Sequence, residues 1–212
     1  MDEIKELFYE KRGRVLVENL KARHFEACYC RTKEEALQAA LGWIPEGASV
    51  GWGGTVTAAQ IGLLDAVRRG NYHAIDRDLC KTPEEREQAK KDCFCSDVFI
   101  TGANALSMDG QMVNIDGTGN RVASIIYGPK SVIVVAGMNK AEQTLEDALR
   151  RARTIAAPMN KQRFQNKTPC AVTGVCADCR SEECICNQIV ITRNCRPAGR
   201  IKFILVGEDL GF

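Results

Sequence analysis

Cysteine is the residue type in this sequence with the clearest capacity for chemistry. Six of the eleven cysteines lie in one short polar segment, with the spacing C-x5-C-x2-C followed by C-x-C. A C-x-x-C turn places two sulfurs side by side, and flanking thiolates complete a four-sulfur set. The segment therefore predicts a zinc ion or an iron–sulfur cluster, and its surplus sulfur leaves free thiols or a redox pair open. These six cysteines are Cys170, Cys176, Cys179, Cys184, Cys186 and Cys195.

A second group of polar residues follows a buried strand, in the stretch GANALSMDGQMVNIDGTGNR. So many polar side chains on a path rich in turns could bind a phosphate, carboxylate or sugar, with Arg121 as the anion clamp. Asp116 is the candidate acid, base or nucleophile, although a polar strand face in solvent is the alternative. Asp109 is the second candidate, and Asp109-Gly110 also has the pattern of a hairpin turn. The candidate ligand-binding residues here are Asn104, Asn114, Asn120 and Arg121.

The stretch GWGGT forms a third candidate site. Glycine lets the backbone approach a ligand closely, and the helix that follows offers unpaired amides to an anion. Neither a Walker loop nor a dinucleotide fingerprint is present, because the lysine and the third glycine are missing. A tight turn between a strand and a helix explains the same residues. The candidate ligand-binding residues are Gly53, Gly54 and Thr55.

The remaining cysteines and both histidines indicate no specific site. His24 precedes a C-x-C pair, but its spacing is a poor match to metal-binding patterns. His73 begins a predicted strand and is expected to be structural. The five cysteines without an assigned role are Cys28, Cys30, Cys80, Cys93 and Cys95.

The elements that must position these residues alternate between helix and strand. Continuous apolar runs such as SVIVVA are typical of parallel strands covered on both faces. The predicted helices are 3–22, 32–44, 55–70, one that begins at 82, 121–127 and 139–156, the last bounded by Pro158. The predicted strands are 48–52, 73–76, 97–101, 131–136, 188–192 and 201–206.

This alternation predicts an α/β fold with an open, mainly parallel sheet and helices on both faces. The chain is expected to form a single domain over 1–212, with a helical segment 1–44 and a cysteine-rich insertion 168–195. Ligands bind beyond the carboxyl ends of parallel strands. Three such ends, at 51–55, 101–104 and 137–140, are the predicted place for a site.

Composition excludes several classes of protein. With 29 basic and 27 acidic side chains the formal net charge is +2, and no basic stripe points to nucleic acid. No apolar stretch approaches the roughly 20 residues of a membrane span. The N-terminus MDEIKELFYEKR has no apolar signal core, so a cytoplasmic protein is expected. In such a chain, cysteines indicate metal or redox chemistry rather than disulfides.

Taken together, the motifs resemble the lactate-utilisation (LUD) domain family. The resemblance rests on GWGGT, DGQMVNIDGTGNRV, RARTIAAPMNKQR and PC-x5-C-x2-C before a final strand that ends in GEDLGF. It implies a fold similar to the ribose-5-phosphate isomerase, glucosamine-6-phosphate isomerase and CoA-transferase group. It also implies a role in bacterial lactate oxidation beside iron–sulfur subunits. The cysteines that match the short-form family pattern are Cys170, Cys176, Cys179 and Cys186, whereas Cys184 and Cys195 depart from it.

Three functional hypotheses follow. The leading one is a lactate-utilisation-type protein that binds a small anionic metabolite or cofactor and carries a cysteine-bound metal centre. The second is an enzyme similar to CoA-transferases or phosphosugar isomerases that uses Asp116 or Asp109 and has a structural zinc. The third is a non-catalytic assembly subunit that docks to an iron–sulfur redox partner. A homo-oligomer is left open.

Overall fold

The computed structural model describes residues 2–212, which contain ten strands and nine α-helices. The strands are β1 (Glu26–Cys30), β2 (Ser49–Trp52), β3 (His73–Ile75), β4 (Val98–Gly102), β5 (Ala105–Ser107), β6 (Met112–Asp116), β7 (Ser131–Gly137), β8 (Ala141–Glu142), β9 (Gln188–Thr192) and β10 (Ile201–Val206). The helices are α1 (Glu3–Ala22), α2 (Lys33–Gly42), α3 (Val56–Gln60), α4 (Leu63–Arg69), α5 (Pro83–Phe94), α6 (Asn120–Ile126), α7 (Leu145–Arg151), α8 (Ala157–Lys161) and α9 (Pro169–Thr173).

The larger sheet has six strands in the order β1-β10-β7-β4-β2-β3, and every pair is parallel. Strand β7, which contains the SVIVVA run, lies near the middle. Its alternate side chains enter opposite cores, with Val132 and Val134 on one face and Ile133 and Val135 on the other. Burial on both faces explains the continuous apolar run. The predicted α/β fold with an open parallel sheet is confirmed.

Helices cover both faces of this sheet, as predicted. Residues of α1 and α6, such as Leu16 and Ile125, pack on one face. Residues of α2 and α4, such as Ala36 and Leu64, pack on the other. The apolar positions of each helix thus meet a separate core.

A smaller four-stranded sheet, in the order β8-β5-β6-β9, stands beside the first. The turn Asp109-Gly110 joins antiparallel strands β5 and β6 as predicted, and Gly110 has the positive φ (89°) that such a turn requires. Val113 and Ile115 pack against Ala152 on the helical side. The sequence analysis did not distinguish this sheet from the main one. Its strands are short, and β8 and β9 come from later parts of the chain than the β5–β6 hairpin that they join.

Three predicted boundaries were wrong. The helix expected over 55–70 is two helices, because Gly62 between α3 and α4 has φ +78°. The helix expected over 139–156 begins only at Leu145, where Thr144 caps it by accepting a hydrogen bond from the Asp147 amide. It then passes through a π-helical turn, Ala152–Ala156, into α8. Pro158 does not end it, because proline is tolerated in the first turn of a helix. Strand β1 was not predicted.

The carboxyl ends of β2, β3, β4 and β7 lie at one edge of the main sheet. Loops rich in glycine and polar residues leave from this edge. Within residues 2–212, no helix is both long and apolar enough to cross a membrane.

Candidate functional site

A cavity of about 500 Å³ opens at the carboxyl edge of the main sheet, and we call it the edge cavity. Its walls come from the loops after β2, β3, β4 and β7, from the loop between β6 and α6, and from α5 and α8. Predicted site residues that line it are Gly54, Thr55, Asn104, Asp116, Asn120 and Arg121.

The edge cavity carries an excess of positive charge. Six basic side chains line it against two carboxylates, so it favours an anion. The basic residues are Arg77, Arg86, Lys90, Arg121, Lys140 and Arg163, and the acidic ones are Asp78 and Asp116.

Lys140 is the most deeply buried basic residue of the cavity. It follows β7, its side chain is buried, and its Nζ donates a 2.9 Å hydrogen bond to Thr57 Oγ1. No carboxylate within the described residues pairs with it. Burial, helped by the positive charges of Arg151 and Arg121, lowers the pKa of Lys140 to about 7. The amine has N–H groups that the protein does not use, and a bound anion would favour its charged form.

Arg121 lines the cavity too, but its guanidinium is occupied by the protein. Its Nη1 donates to Asn114 Oδ1 (2.6 Å) and to the Gly102 carbonyl, and its Nη2 donates to Asn104 Oδ1 and to the Ile115 carbonyl. Its Nε lies 3.6 Å from Asp116 Oδ2. Four of the five N–H donors of arginine are thereby committed and the fifth faces Asp116, so Arg121 ties β4 to β6 rather than offering a free anion clamp.

Asp116 is buried, and the protein occupies both of its carboxylate oxygens, as it occupies the guanidinium of Arg121. Its Oδ1 accepts the backbone amides of Thr118 and Gly119, and its Oδ2 faces the amide of Val122. This carboxylate therefore organises the start of α6. The catalytic role predicted for Asp116 stays a prediction.

The asparagines divide between the scaffold and the cavity. Asn104 accepts the Ile115 amide and Arg121, and it lines the cavity. Asn120 also lines it, and its Oδ1 accepts a hydrogen bond from Thr118. Asn114 is fully buried beneath the wall, and its Nδ2 has no partner within the described residues.

The glycine loop after β2 has three distinct positions. Gly53 lies under Arg121, whose Cδ would be 2.8 Å from a Cβ there. Gly54 faces Arg77, and a Cβ would lie 2.9 Å from Arg77 Nη2. Thr55 caps α3 through the amide of Ala58. Of the three, Gly54 and Thr55 line the cavity, whereas Gly53 makes room for the arginine behind it.

Asp109 lies outside the edge cavity. It sits in the β5–β6 turn, where it accepts hydrogen bonds from Ser107 and Gln111 and pairs with Arg23 Nη2 at 2.7 Å. These contacts fasten the hairpin to the end of α1. The structure therefore does not bring Asp109 together with the other predicted site residues.

The cysteine segment forms a second cavity of about 80 Å³, which we call the cysteine cavity. All four predicted ligands line it, and so does Cys184, which the sequence pattern set apart. The pKa of Cys186 is raised to about 12 by burial and by the nearby thiols of Cys184, Cys170 and Cys176. The predicted ligands that line the cavity are Cys170, Cys176, Cys179 and Cys186.

The donor set suits a zinc ion or an iron–sulfur cluster, because several soft thiols face one space. As they stand, however, no three His, Cys, Asp or Glu side chains within residues 2–212 form a metal-holding group. A metal would therefore have to draw the thiols together. The segment can supply this movement, because α9 is its one regular element before β9.

The other cysteines lie elsewhere. Cys195 is buried in the core below β10, where its sulfur accepts the Ile201 amide at 3.3 Å. Cys28 and Cys30 lie on β1, where Cys30 is buried in the core and Cys28 packs against it. Cys80 and Cys93 contact backbone carbonyls near β3, and Cys95 ends α5 in an exposed position.

Comparison with known proteins decides the family. The family model for the LUD domain matches residues 13–206. The chain belongs to the LUD domain family. A search among curated proteins finds no match for this LUD-domain protein.

Two solved structures are similar to this LUD-domain protein. The crystal structure of a DUF162 family protein from Deinococcus radiodurans has a TM-score of 0.54 at 10% identity, over 93% of this chain and 97% of that one. Ribose 5-phosphate isomerase A from Neisseria gonorrhoeae has a TM-score of 0.33 at 19% identity, over 53% of this chain and 54% of that one. The first similarity shows a shared fold.

Sequence reasoning assigned no role to two basic residues at strand ends, although it placed one of those ends, 137–140, at the predicted site. Arg77 follows the end of β3 by two residues, and Lys140 follows the end of β7 by three. Asking which basic residues come directly after each parallel strand would have found both. Arg86 and Lys90 lie on α5, where no motif marks them, and Arg163 ends the RARTIAAPMNKQR stretch just after α8.

Proposed function

We propose that this LUD-domain protein binds a small anionic metabolite or cofactor in the edge cavity and thereby supports lactate oxidation. The observation that carries the proposal is Lys140, a buried ammonium that lines the cavity and has a hydroxyl group but no carboxylate as partner. An unpaired buried cation costs several kcal/mol. A bound carboxylate or phosphate would compensate its charge.

Isothermal titration calorimetry at low ionic strength tests this proposal. The probes are lactate, oxalate and inorganic phosphate, which distinguish a carboxylate site from a phosphate site. We expect at least one of them to bind and Lys140→Met to weaken it about tenfold or more, as loss of a hydrogen bond to a charged group does.

The matched control for this titration is Lys130→Met, which also removes one positive charge. Lys130 pairs with Asp97 at the opposite edge of the sheet, so we expect unchanged affinity. Equal weakening by both substitutions would mean that general charge, and not the edge cavity, attracts the anion.

The cysteine cavity is the proposed metal centre, held by Cys170, Cys176, Cys179 and Cys186. An iron–sulfur cluster there would supply electron transfer, and zinc would supply stability. Ala157 and Ile185 line both the cysteine cavity and the edge cavity. This shared wall supports electron transfer over a short distance between a bound anion and the centre.

Metal and acid-labile sulfide analysis of anaerobically purified protein tests the centre. We expect Cys176→Ser and Cys186→Ser to lose the metal, whereas Cys184→Ser and Cys195→Ala keep it. Cys195→Ala is the matched control, because that cysteine is buried in the core instead. Retention of metal in Cys176→Ser and Cys186→Ser would assign it to other ligands.

The other two hypotheses keep their own tests. An enzyme that uses Asp116 should lose turnover of a CoA ester or phosphosugar in Asp116→Asn with its fold intact. An assembly subunit should co-purify with an iron–sulfur partner.

A further inference from the structure

We infer that Lys140 acts as an amine nucleophile, and that the anion bound in the edge cavity is a 2-oxo acid held as an imine on Lys140 Nζ. The inference names the ligand class of the proposed anion site and rests on that proposed function. It depends on the position of the amine, its hydrogen bonds and the charges that surround it.

The amine is placed inside the cavity with little to hold its charge. Lys140 is 4% exposed, and its Nζ donates a hydrogen bond to Thr57 Oγ1 at 2.9 Å. The other buried lysine, Lys161, instead donates to the carbonyl of Glu183 and lines the cysteine cavity. A lysine buried beside other cations is the known arrangement for an amine that reacts with carbonyl groups.

Two arginines supply the positive charge beside this amine. Arg151 donates to the Asn139 and Asn104 carbonyls, and Arg121 donates four hydrogen bonds within the protein. Both therefore act on Lys140 through charge, and with burial they lower its pKa to about 7. Arg121 lines the edge cavity, so its positive charge would favour a carboxylate near the amine, which is where a 2-oxo acid carries one.

The backbone leaves space for a small substituent on the nitrogen. Gly211 passes beside Lys140, and a Cβ there would lie 2.8 Å from Nζ. Gly211 also has φ +62°, a conformation that favours glycine. The absence of a side chain at this position keeps the amine open to the cavity.

The chemical step balances without another reactant. The neutral amine attacks the carbonyl carbon, and a C–N bond forms. The carbonyl oxygen then leaves as water with the two hydrogens of the amine, which gives an imine and breaks the C–O bond. No oxidant or reductant is consumed.

Reductive trapping of the whole protein tests the inference. The protein is incubated at pH 7 with pyruvate, the probe, and sodium cyanoborohydride, which reduces an imine to a stable secondary amine. Peptide mass mapping then locates the adduct. With a pKa of about 7, half of Lys140 is neutral at this pH, about a thousandfold more than for an ordinary lysine. We therefore expect Lys140 to be labelled well before the exposed lysines.

Two variants sharpen the result. Lys140→Arg keeps the positive charge but has no primary amine, so the site-specific adduct should vanish. Lys130→Arg is the matched control, because Lys130 lies at the opposite edge of the sheet and pairs with Asp97 at 2.7 Å, so the adduct should persist. Mapping the adduct in the protein without substitutions does not depend on how either variant folds.

Labelling spread over exposed lysines, with none favoured at Lys140, would overturn the inference. If calorimetry still showed anion binding that Lys140→Met weakens, the proposed function would stand without the imine. If neither anion binding nor an adduct were found, both would fail.

Discussion

At the scale of single residues, Arg121 and Lys140 of the edge cavity differ in how far the protein occupies their hydrogen-bond donors. Arg121 satisfies the amide oxygens of Asn104 and Asn114 and two backbone carbonyls, so it supports the wall. Lys140 contacts one hydroxyl and faces the ligand space. Replacing Arg121 should therefore affect the stability of the cavity wall, whereas replacing Lys140 should affect ligand binding.

Replacing Lys140 by methionine should stabilise the fold in a pH-dependent manner. The folded pKa of about 7 lies below the ordinary value of 10.5, so the unfolded chain binds the proton more tightly. The cost of burying the charge is complete below pH 7 and disappears as pH rises towards 10.5. We expect Lys140→Met to raise the free energy of unfolding by a few kcal/mol at pH 6 and much less at pH 10.

Urea denaturation at both pH values measures this difference. Lys130→Met is the control, since Asp97 raises the pKa of Lys130 and its removal should not stabilise. A gain from Lys140→Met that is the same at pH 6 and pH 10 would contradict the prediction, because packing alone does not depend on this proton.

Replacing Arg121 by methionine should destabilise the fold strongly. It leaves the side-chain oxygen of Asn114 unpaired, removes one of the two donors to Asn104 Oδ1, and leaves Asp116 as a buried charge without its cation. Losing one partner of a buried pair costs about 3–5 kcal/mol. Arg163→Met, at an exposed position of the same cavity, should change stability by no more than about 0.5 kcal/mol. Equal losses in urea denaturation would show that Arg121 is not the support we describe.

At the scale of elements, the cysteine segment is an outer layer fastened at a few points. Lys161 and Arg153 hold it to the helix below through the Glu183 carbonyl and Asp178. Asn187 Nδ2 donates to the Gly117 carbonyl at 2.9 Å, which connects it to the loop after β6. A movement within the segment can therefore reach the wall of the edge cavity.

Zinc addition should contract this layer, since the thiols must approach one another to bind it. We expect slower hydrogen exchange in residues 168–187 and in the adjoining loop 117–119. Helix α2, on the far face of the sheet, should not change. Cys176→Ser should abolish the protection, and unchanged exchange in zinc-treated protein would mean that the thiols do not close around the ion.

At the scale of the whole molecule, two cavities share one wall on the carboxyl side of the sheet. Ala157 and Ile185 separate a positively charged space from a space lined by thiols. Four thiolates around a divalent ion carry a net charge of −2, which replaces neutral thiols. Occupancy of one cavity should therefore alter the electrostatic potential in the other.

Metal loading should consequently weaken anion binding. Coupling free energies between sites are typically about 1–3 kcal/mol, and linkage requires the anion to weaken metal binding by the same factor. Calorimetric titration of oxalate or phosphate into metal-loaded and chelator-treated protein measures this difference. It should shrink at high salt, because ions screen the charge. Identical affinities in both forms at low salt would exclude the coupling.

The sequence by itself determined the class of fold and the region of the site. The SVIVVA run required a strand buried on both faces, and Asp109-Gly110 required a hairpin. The glycine loop and the polar stretch 104–121 were correctly placed after parallel strands. Five of the six clustered cysteines line one cavity, whereas Cys195 lies in the core. These are local properties, set by periodicity, turn conformation and short separations along the chain.

Tertiary structure decided which polar residues remain free, and it also created the second sheet. Thr57 lies 83 residues from Lys140, and Gly102 lies 19 from Arg121, so no local pattern assigns their hydrogen bonds. Asp109 was drawn to Arg23 and away from the cavity for the same reason. A polar side chain is available to a ligand only when its neighbours in space leave its donors unpaired, and those neighbours are chosen by the packing of the whole chain.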